Sequence, residues 1–321
     1  MSAPARLLGW AVLLVVLCAL PALALAQRAD PATLDYQLRA RELAGGVYVV
    51  EGANADFSVA NGCNIINTGF IATGAGVIVI NTGPSRRYGE QLRALIARTT
   101  PEPVIRVVHL NLHPDYFLGN QAFADVPRLA TPATRAGMQR DAKGYEDNLY
   151  RLCGEWLKGT EALLPDTDAK PGVERVGAHE LEWVELHGHT DSDLVLIDRS
   201  RGVVFAGGLV FARRVPTTPH AQVDAWRASL RTLAAWPPAQ LVPSHGRVAD
   251  GWAGIVLTQR YLGWLDSAFR DAAARGLEMN EVLRMPVPDE FRGWAGFASE
   301  YVRNVANLYP RYEAAVLERA R

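Results

Sequence analysis

The sequence predicts an α/β protein with a helix-only segment at its C-terminal end, and three features lead there. Short apolar strands alternate with turns over residues 46–83, and a strand-helix-strand order follows at once. A second run of strands ending in an amphipathic helix repeats that make-up, and strand signals then stop near Gly251.

Taken in order, GVYVVEG and CNIINTGFIAT read as strands, and GVIVINTG follows the turn Gly74-Ala75-Gly76. RRYGEQLRALIARTT sets Leu92, Leu95 and Ile96 at helical spacing and stops before Pro101. VIRVVHLNL is then a near-continuous apolar strand. A helix between two strands is a crossover unit, which calls for a sheet covered by helices. Helical spacing returns over about 134–158. LEWVELHG, DLVLIDRS and GVVFAGGLVF are strands again, the last two joined by a hairpin turn at 199–202. HAQVDAWRASLRTLAAW is amphipathic and QLVPSHG closes the series. Beyond residue 250 the aromatic residues, among them Tyr261, Trp264, Phe291 and Tyr301, are placed for helix-helix and helix-sheet packing.

The 321 residues hold 33 Lys and Arg against 34 Asp and Glu, a net charge of -1. That balance gives no ground for a nucleic-acid or polybasic membrane-surface protein, so attraction of a small-molecule substrate has to be local. The first 26 residues have a cation at Arg6, an apolar run from Leu7, and Ala24-Leu25-Ala26 before Gln27. This is the pattern of a signal peptide, and cleavage near Ala26 implies a periplasmic or secreted chain with no stable membrane span after processing. Cys63 and Cys153 remain. An oxidising compartment allows them to pair if their Cα atoms come within bridging distance. Neither sits in a C-x-x-C cluster, which argues against a thiolate zinc site.

Three strand ends carry histidine: His113 with Asp115 in NLHPDYFLGN, His189 in LHGHTDSD, and His245 in VPSHG. Imidazole and carboxylate are the ligands zinc takes when it keeps an open position for water. Such an ion lowers the pKa of bound water to about 7 and so makes a hydroxide nucleophile. His109, inside a strand, reads as structural. His187 reads as a core or cleft residue, and His179 and His220 as ordinary surface or capping residues. Of Asp191 and Asp193, one is expected to cap a turn and the other to be solvated.

In this order, NTGF with GVIVINTGPS, HPDYFLGN, GHTDSD and SHG resemble the motifs of the metallo-β-lactamase fold superfamily over about 46–246. The resemblance implies a four-layer αββα sandwich over 27–250, a C-terminal helical extension over 251–321, and a zinc cleft at one edge between the sheets. NTGFI, NTGPSRRYGE and HPDYFLGNQAF are most similar to exported zinc hydrolases associated with quinoprotein (pyrroloquinoline quinone) and sulfur-oxidation systems.

The departures matter equally. Asn111 and Tyr116 stand where that family has its first and third histidines, Gly208 where it has a bridging aspartate, and Asn81 where it has an aspartate that supports the ligands. Carried over, the first metal position keeps His113 and His189, and the second keeps Asp115 and His245. With one carboxylate and no bridging anion, at most one well-held zinc ion per chain is expected, bound by some combination of His113, Asp115, His189 and His245. Asp115 would handle the proton of the attacking water, with Asn111 or Tyr116 orienting the substrate; Tyr116 could equally fill the space of the lost metal. Two functions follow: a zinc-dependent hydrolase of an ester, thioester or amide, and a non-catalytic binding protein on a degenerate fold.

Overall fold

The computed structural model describes residues 33–319, so the expected signal peptide lies outside the described residues. In chain order the strands are β1 (Arg41–Ala44), β2 (Val47–Val50), β3 (Thr68–Ala72), β4 (Val77–Ile80), β5 (Val104–Val108), β6 (Arg128–Ala130), β7 (Thr167–Asp168), β8 (Gly172–Val176), β9 (His179–Leu186), β10 (Asp193–Asp198), β11 (Val203–Phe205), β12 (Gln240–Val242) and β13 (Ala249–Asp250). The helices are α1 (Arg86–Thr99), α2 (Pro114–Phe117), α3 (Pro132–Cys153), α4 (Val223–Leu233), α5 (Ala253–Ala274), α6 (Met279–Val282), α7 (Asp289–Arg292) and α8 (Phe297–Arg319). Among the described residues none of the helices is long and apolar enough to cross a membrane.

Alternate strand residues face opposite sides, and burial follows that period in both sheets. In β4, Ile78 and Ile80 point into the layer between the sheets, while Val77 and Val79 pack with Leu92 and Ile96 of α1. In β10, Leu194 and Leu196 enter the same intersheet layer, while Val195 and Ile197 pack with α4, α5 and α8. The result is the predicted helix, sheet, sheet, helix order. One sheet runs β1-β2-β3-β4-β5-β6-β7 and the other β13-β12-β11-β10-β9-β8. The α1 crossover joins parallel β4 and β5, and the 199–202 turn joins antiparallel β10 and β11.

The C-terminal helices share one apolar cluster with α4 and the outer face of the second sheet, through Tyr261, Leu265, Phe269, Val305 and Tyr309. Two backbone bonds fasten the chain before α8 to the loop after β11: Val215 N donates to Ala295 O at 3.0 Å and Ala295 N to Arg213 O at 3.1 Å. Several strands differ from the sequence reading. β5 stops at Val108, because the residues beyond it turn aside to build the site. β1, β6, β7 and β8 carry no strand signal in the sequence; β7 has two residues, and β8 is an exposed edge with no apolar alternation.

Cys63 and Cys153 form a disulfide across 90 positions, with Cα atoms 5.9 Å apart, and it ties the loop before β3 to the end of α3. Closing a loop of that length removes conformational freedom from the unfolded chain, typically worth about 2–4 kcal/mol. Cys153→Ala is therefore expected to lower unfolding free energy by about that amount. Urea melts of parent and variant, with thiol titration showing no free cysteine in the unreduced mature parent, check this.

Candidate functional site

The site begins where β5 ends. Leu110 N donates to Asn81 Oδ1 at 3.0 Å, and Asn81 reaches that position with a left-handed φ of 58°. His109 Nδ1 donates to Tyr116 O at 3.1 Å and Thr82 N donates to the same oxygen at 2.8 Å, so the buried His109 holds the short helix α2 in place. Burial pushes the His109 pKa down to about 4. His109 is thus structural, as its place in the strand suggested. His113 caps α2 and Pro114 fixes its first turn, which sets Asp115 on the inner wall.

His245 enters from the end of β12. Its Nδ1 donates to Ile65 O at 2.8 Å, which leaves Nε2 as a lone-pair nitrogen. That nitrogen faces Asp115 Oδ2 at 3.7 Å, and Asp115 Oδ2 is buried with no hydrogen-bond partner. Two lone-pair atoms facing each other in a dry gap need a cation or a proton between them. Burial raises the Asp115 pKa to about 7 and drives that of His245 well below its usual value. His113 Nε2 is also buried without a partner, and burial, then the neighbouring His189, lowers its pKa.

The other half of the expected site is closed on itself. Asn111 Nδ2 donates to Asp193 Oδ1 at 2.6 Å, and Asn111 Oδ1 accepts from His113 N at 3.1 Å. Both amide atoms are engaged. His189 lies edge-on to His113, with ring centroids 4.7 Å apart; its Nδ1 stands 3.4 Å from the Asn111 amide and its Nε2 3.3 Å from Thr217 Oγ1. A Cβ at Gly208 would lie 2.1 Å from His189 Nδ1, 2.8 Å from Asn111 Nδ2 and 2.9 Å from Asp193 Oδ1. The space of a bridging carboxylate is therefore filled by these three side chains.

Tyr116 is packed in the intersheet core, its hydroxyl buried without a hydrogen-bond partner. Burial and the nearby Asp115 hold its pKa well above the ordinary value. Asp193 caps the turn after β9, taking His189 N and Thr190 N, while Asp191 is exposed and accepts from Gln222. Three histidine readings are corrected. His179 is buried and bonded to Asp198 Oδ2 at 2.5 Å; His187 is exposed, with its ring against Asp191 O at 2.5 Å; and half-buried His220 stacks on His113 at 5.5 Å.

His113, Asp115 and His245 line a cavity of about 380 Å³ together with Thr217, Arg214 and Glu300. Arg214 is fully buried and lowers the pKa of both Asp115 and His245. Sequence reasoning missed Arg214, Thr217 and Glu300. The polar stretch ARRVPTTPH after an apolar strand was the available signal for the first two, and nothing local marked Glu300.

Among the described residues no three His, Cys, Asp or Glu side chains are gathered as a metal ion needs. The four expected ligands stand as two pairs, His113 with His189 and Asp115 with His245. The donor chemistry of the Asp115–His245 pair would suit one cation, since Asp115 Oδ2 has no partner and His245 Nε2 is free of its proton, while His113 Nε2 is unpartnered on the neighbouring pair. On the Gly208 side the Asp193 carboxylate is taken up by Asn111, His189 N and Thr190.

Comparison with known proteins places these features. Residues 61–245 match the sequence profile described as Metallo-beta-lactamase superfamily. A metallo-beta-lactamase from Pontibacter korlensis superposes with a TM-score of 0.57 at 23% identity, covering 71% of this chain and 99% of that one. The metallo-beta-lactamase IND-7 gives 0.58 at 18%, covering 72% and 100%. The metallo-beta-lactamase FIM-1 from Pseudomonas aeruginosa in its mono-zinc form gives 0.55 at 16%, covering 71% and 95%. At these identities the likeness concerns the fold. No curated protein sequence matches the chain.

Two outcomes follow from the site's packing and charge. Between about pH 4 and pH 7 the folded metal-free protein keeps a proton on Asp115 that the unfolded chain releases, so this group makes stability fall as pH rises through that window. Asp115→Asn removes the effect. The variant should match the parent near pH 4 and exceed it increasingly up to pH 7, by on the order of 4 kcal/mol at most, in urea melts after EDTA dialysis. The lowered histidines act below pH 6.5 with opposite sign in both proteins and cancel in the difference. Gly208→Ala should cost about 1–3 kcal/mol in the same melts, because His189, Asn111 and Asp193 must all shift.

Proposed function

The chain belongs to the metallo-beta-lactamase superfamily, whose members generally bind zinc, and from that premise we propose that it is an exported hydrolase of a small molecule working with one weakly held zinc ion. The observation that carries the reading is the unbridged gap between His245 Nε2 and Asp115 Oδ2, 3.7 Å wide, on the wall of a cavity large enough for an ester, thioester or amide.

His113, Asp115 and His245 would hold the ion, with His189 beside His113. When bound, zinc supplies polarisation of a carbonyl and a nucleophilic hydroxide at neutral pH. The chain's own residues do the rest. Ile65 O keeps the His245 proton on Nδ1, so Nε2 stays a donor nitrogen. The Asp115 carboxyl, through the oxygen not turned to His245, would take the proton of the attacking water and return it to the leaving group. Asn111 acts as a positioning residue, holding His113 through its backbone N–H and the turn after β9 through Asp193. Tyr116 keeps water from the back of Asp115 by packing between the sheets.

Export is supported by the leader pattern over 1–26 and by the Cys63–Cys153 bridge, since disulfides persist in oxidising compartments. Association with a quinoprotein oxidation system is supported by the motif resemblance alone, and loss of quinoprotein-dependent oxidation on deleting the gene is its test.

Metal content of the purified protein, read by mass spectrometry after zinc supplementation, is expected near one ion per chain. His113→Ala and His245→Ala are each expected to lose both the ion and hydrolysis of an ester and thioester panel. No zinc and no hydrolysis in the parent would replace this reading with that of a non-catalytic binding protein, which the closed Asn111–Asp193–His189 network favours.

A further inference from the structure

We propose that the cavity binds a small organic carboxylate, with Arg214 as its anchor. The proposal rests on the reading of this cavity as the reaction cleft and names the class of molecule it accepts.

Among the described residues Arg214 is the charged member of the set of largest fully buried side chains, and it is incompletely paired. Its guanidinium offers five N–H donors in a fixed fork. Nη2 reaches Glu300 Oε1 at 3.4 Å, whereas Nε and Nη1 are buried with no partner. Glu300 Oε1 is moreover shared, since Arg303 Nη1 donates to it at the shorter distance of 3.0 Å. Glu300 thus divides its charge between two guanidiniums, and only Arg303 has a second carboxylate, Asp56 at 3.1 Å. A buried cation with unmet donors is costly, and a planar carboxylate is the partner that fills two of them at once.

The surroundings favour the same ligand. Arg151 and Arg303 also line the cavity, and with Arg303 paired to Asp56 the donors left unmet there belong to Arg214. Phe57, Ile65 and Leu152 supply an apolar stretch of wall, which suits an organic body in place of a bare inorganic anion. The carboxylate end would lie toward Arg214 and the C-terminal helix, and the rest of the molecule toward Asp115 and His245. Arg214 is set in this position by its own backbone, which bridges to Ala295, and Gly296 packs against its guanidinium: a Cβ there would lie 3.4 Å from Nη1.

The test is calorimetric titration of the full-length mature protein with benzoate, neutral benzamide and inorganic phosphate, as purified and again after EDTA dialysis. The dialysed sample separates binding at Arg214 from coordination to a metal. Benzoate is expected to bind at least tenfold more tightly than benzamide in both samples, and phosphate more weakly than benzoate. Arg214→Gln should lose at least tenfold in benzoate affinity and Arg214→Lys less. Glu300→Gln should tighten benzoate severalfold, because it removes the competing carboxylate, an effect that a merely structural role does not produce. Equal affinity for benzoate and benzamide, tighter binding of phosphate, or an Arg214→Gln protein that folds and binds benzoate normally overturns the proposal. If Arg214→Gln does not fold, the benzoate-benzamide ratio and Glu300→Gln decide it. Because benzoate is not turned over, binding without any hydrolysis sinks the hydrolase reading and leaves this one, whereas hydrolysis with no preference for carboxylates does the reverse.

Discussion

The buried carboxylate of Asp193 is the constraint on which the rest of the site depends. Its Oδ2 accepts from His189 N at 3.1 Å and Thr190 N at 3.0 Å, and its Oδ1 from Asn111 Nδ2 at 2.6 Å and Thr190 Oγ1 at 3.2 Å. A carboxyl group out of water is tolerated only when its oxygens are met by donors such as these. One residue on, Leu194 N donates to Leu110 O at 2.9 Å, so the same turn is stitched to the end of β5 in the opposite sheet. Asn111 is drawn inward by this arrangement. An aspartate at 208 would begin 2.9 Å from Asp193 Oδ1 and set two carboxylates in contact, which only bound cations make tolerable. Asn111 and Gly208 are therefore physically coupled: each suits a pocket closed by hydrogen bonds to Asp193.

How much of this could be read in the sequence depends on the kind of signal each residue gives. The layers were legible because period-two strands such as β4 and β10 bury both faces, and α1 carries Leu92, Leu95 and Ile96 on one side. The short edge strands were not, because exposed edges have no apolar alternation to detect. At the site, His113, Asp115, His189 and His245 do come to neighbouring walls, since strand ends fix them. Their sorting into two pairs was not legible, for it turns on side-chain hydrogen bonds spanning 82 residues from Asn111 to Asp193. Arg214 and Glu300 lie 86 residues apart and meet through the packing of α8, a contact that no local pattern encodes. His220 misled because its neighbours are polar, yet the loop carrying it is held over the cleft, with Thr218 bonded to Asn304 of α8 at 2.8 Å.

That packing gives the C-terminal helices a part in the site beyond covering a sheet. Tyr261, Phe269 and Tyr309 join the apolar cluster that includes Val195 and Ile197 of β10, so the extension and the second sheet bury the same surface. Asn304 donates to Tyr261 Oη at 2.9 Å and accepts from Thr218, which links α5, α8 and the cleft loop through one buried amide. Glu300 reaches the cavity from the first turn of α8, just past the bridge to Arg214. The placement of α8 thus sets the charge on one side of the cavity, while the strand ends set it on the other.

The two sides bear differently on the gap between Asp115 and His245. Arg214 adds fixed positive charge near it, which opposes a metal ion and favours the ionised carboxylate of Asp115. Burial does the opposite and raises the carboxyl to about 7, so burial is the larger influence and the gap is closed by a proton in the absence of a cation. Proton and cation then compete for one place. Uptake of a metal ion there would have to expel the proton, and affinity for it would climb with pH until the carboxyl is ionised near neutrality. A site with two ions and a bridging aspartate neutralises its own charge by design. Here a single carboxylate, a proton and a neighbouring guanidinium share that task, which is the physical reason a metal ion would be held weakly at this gap.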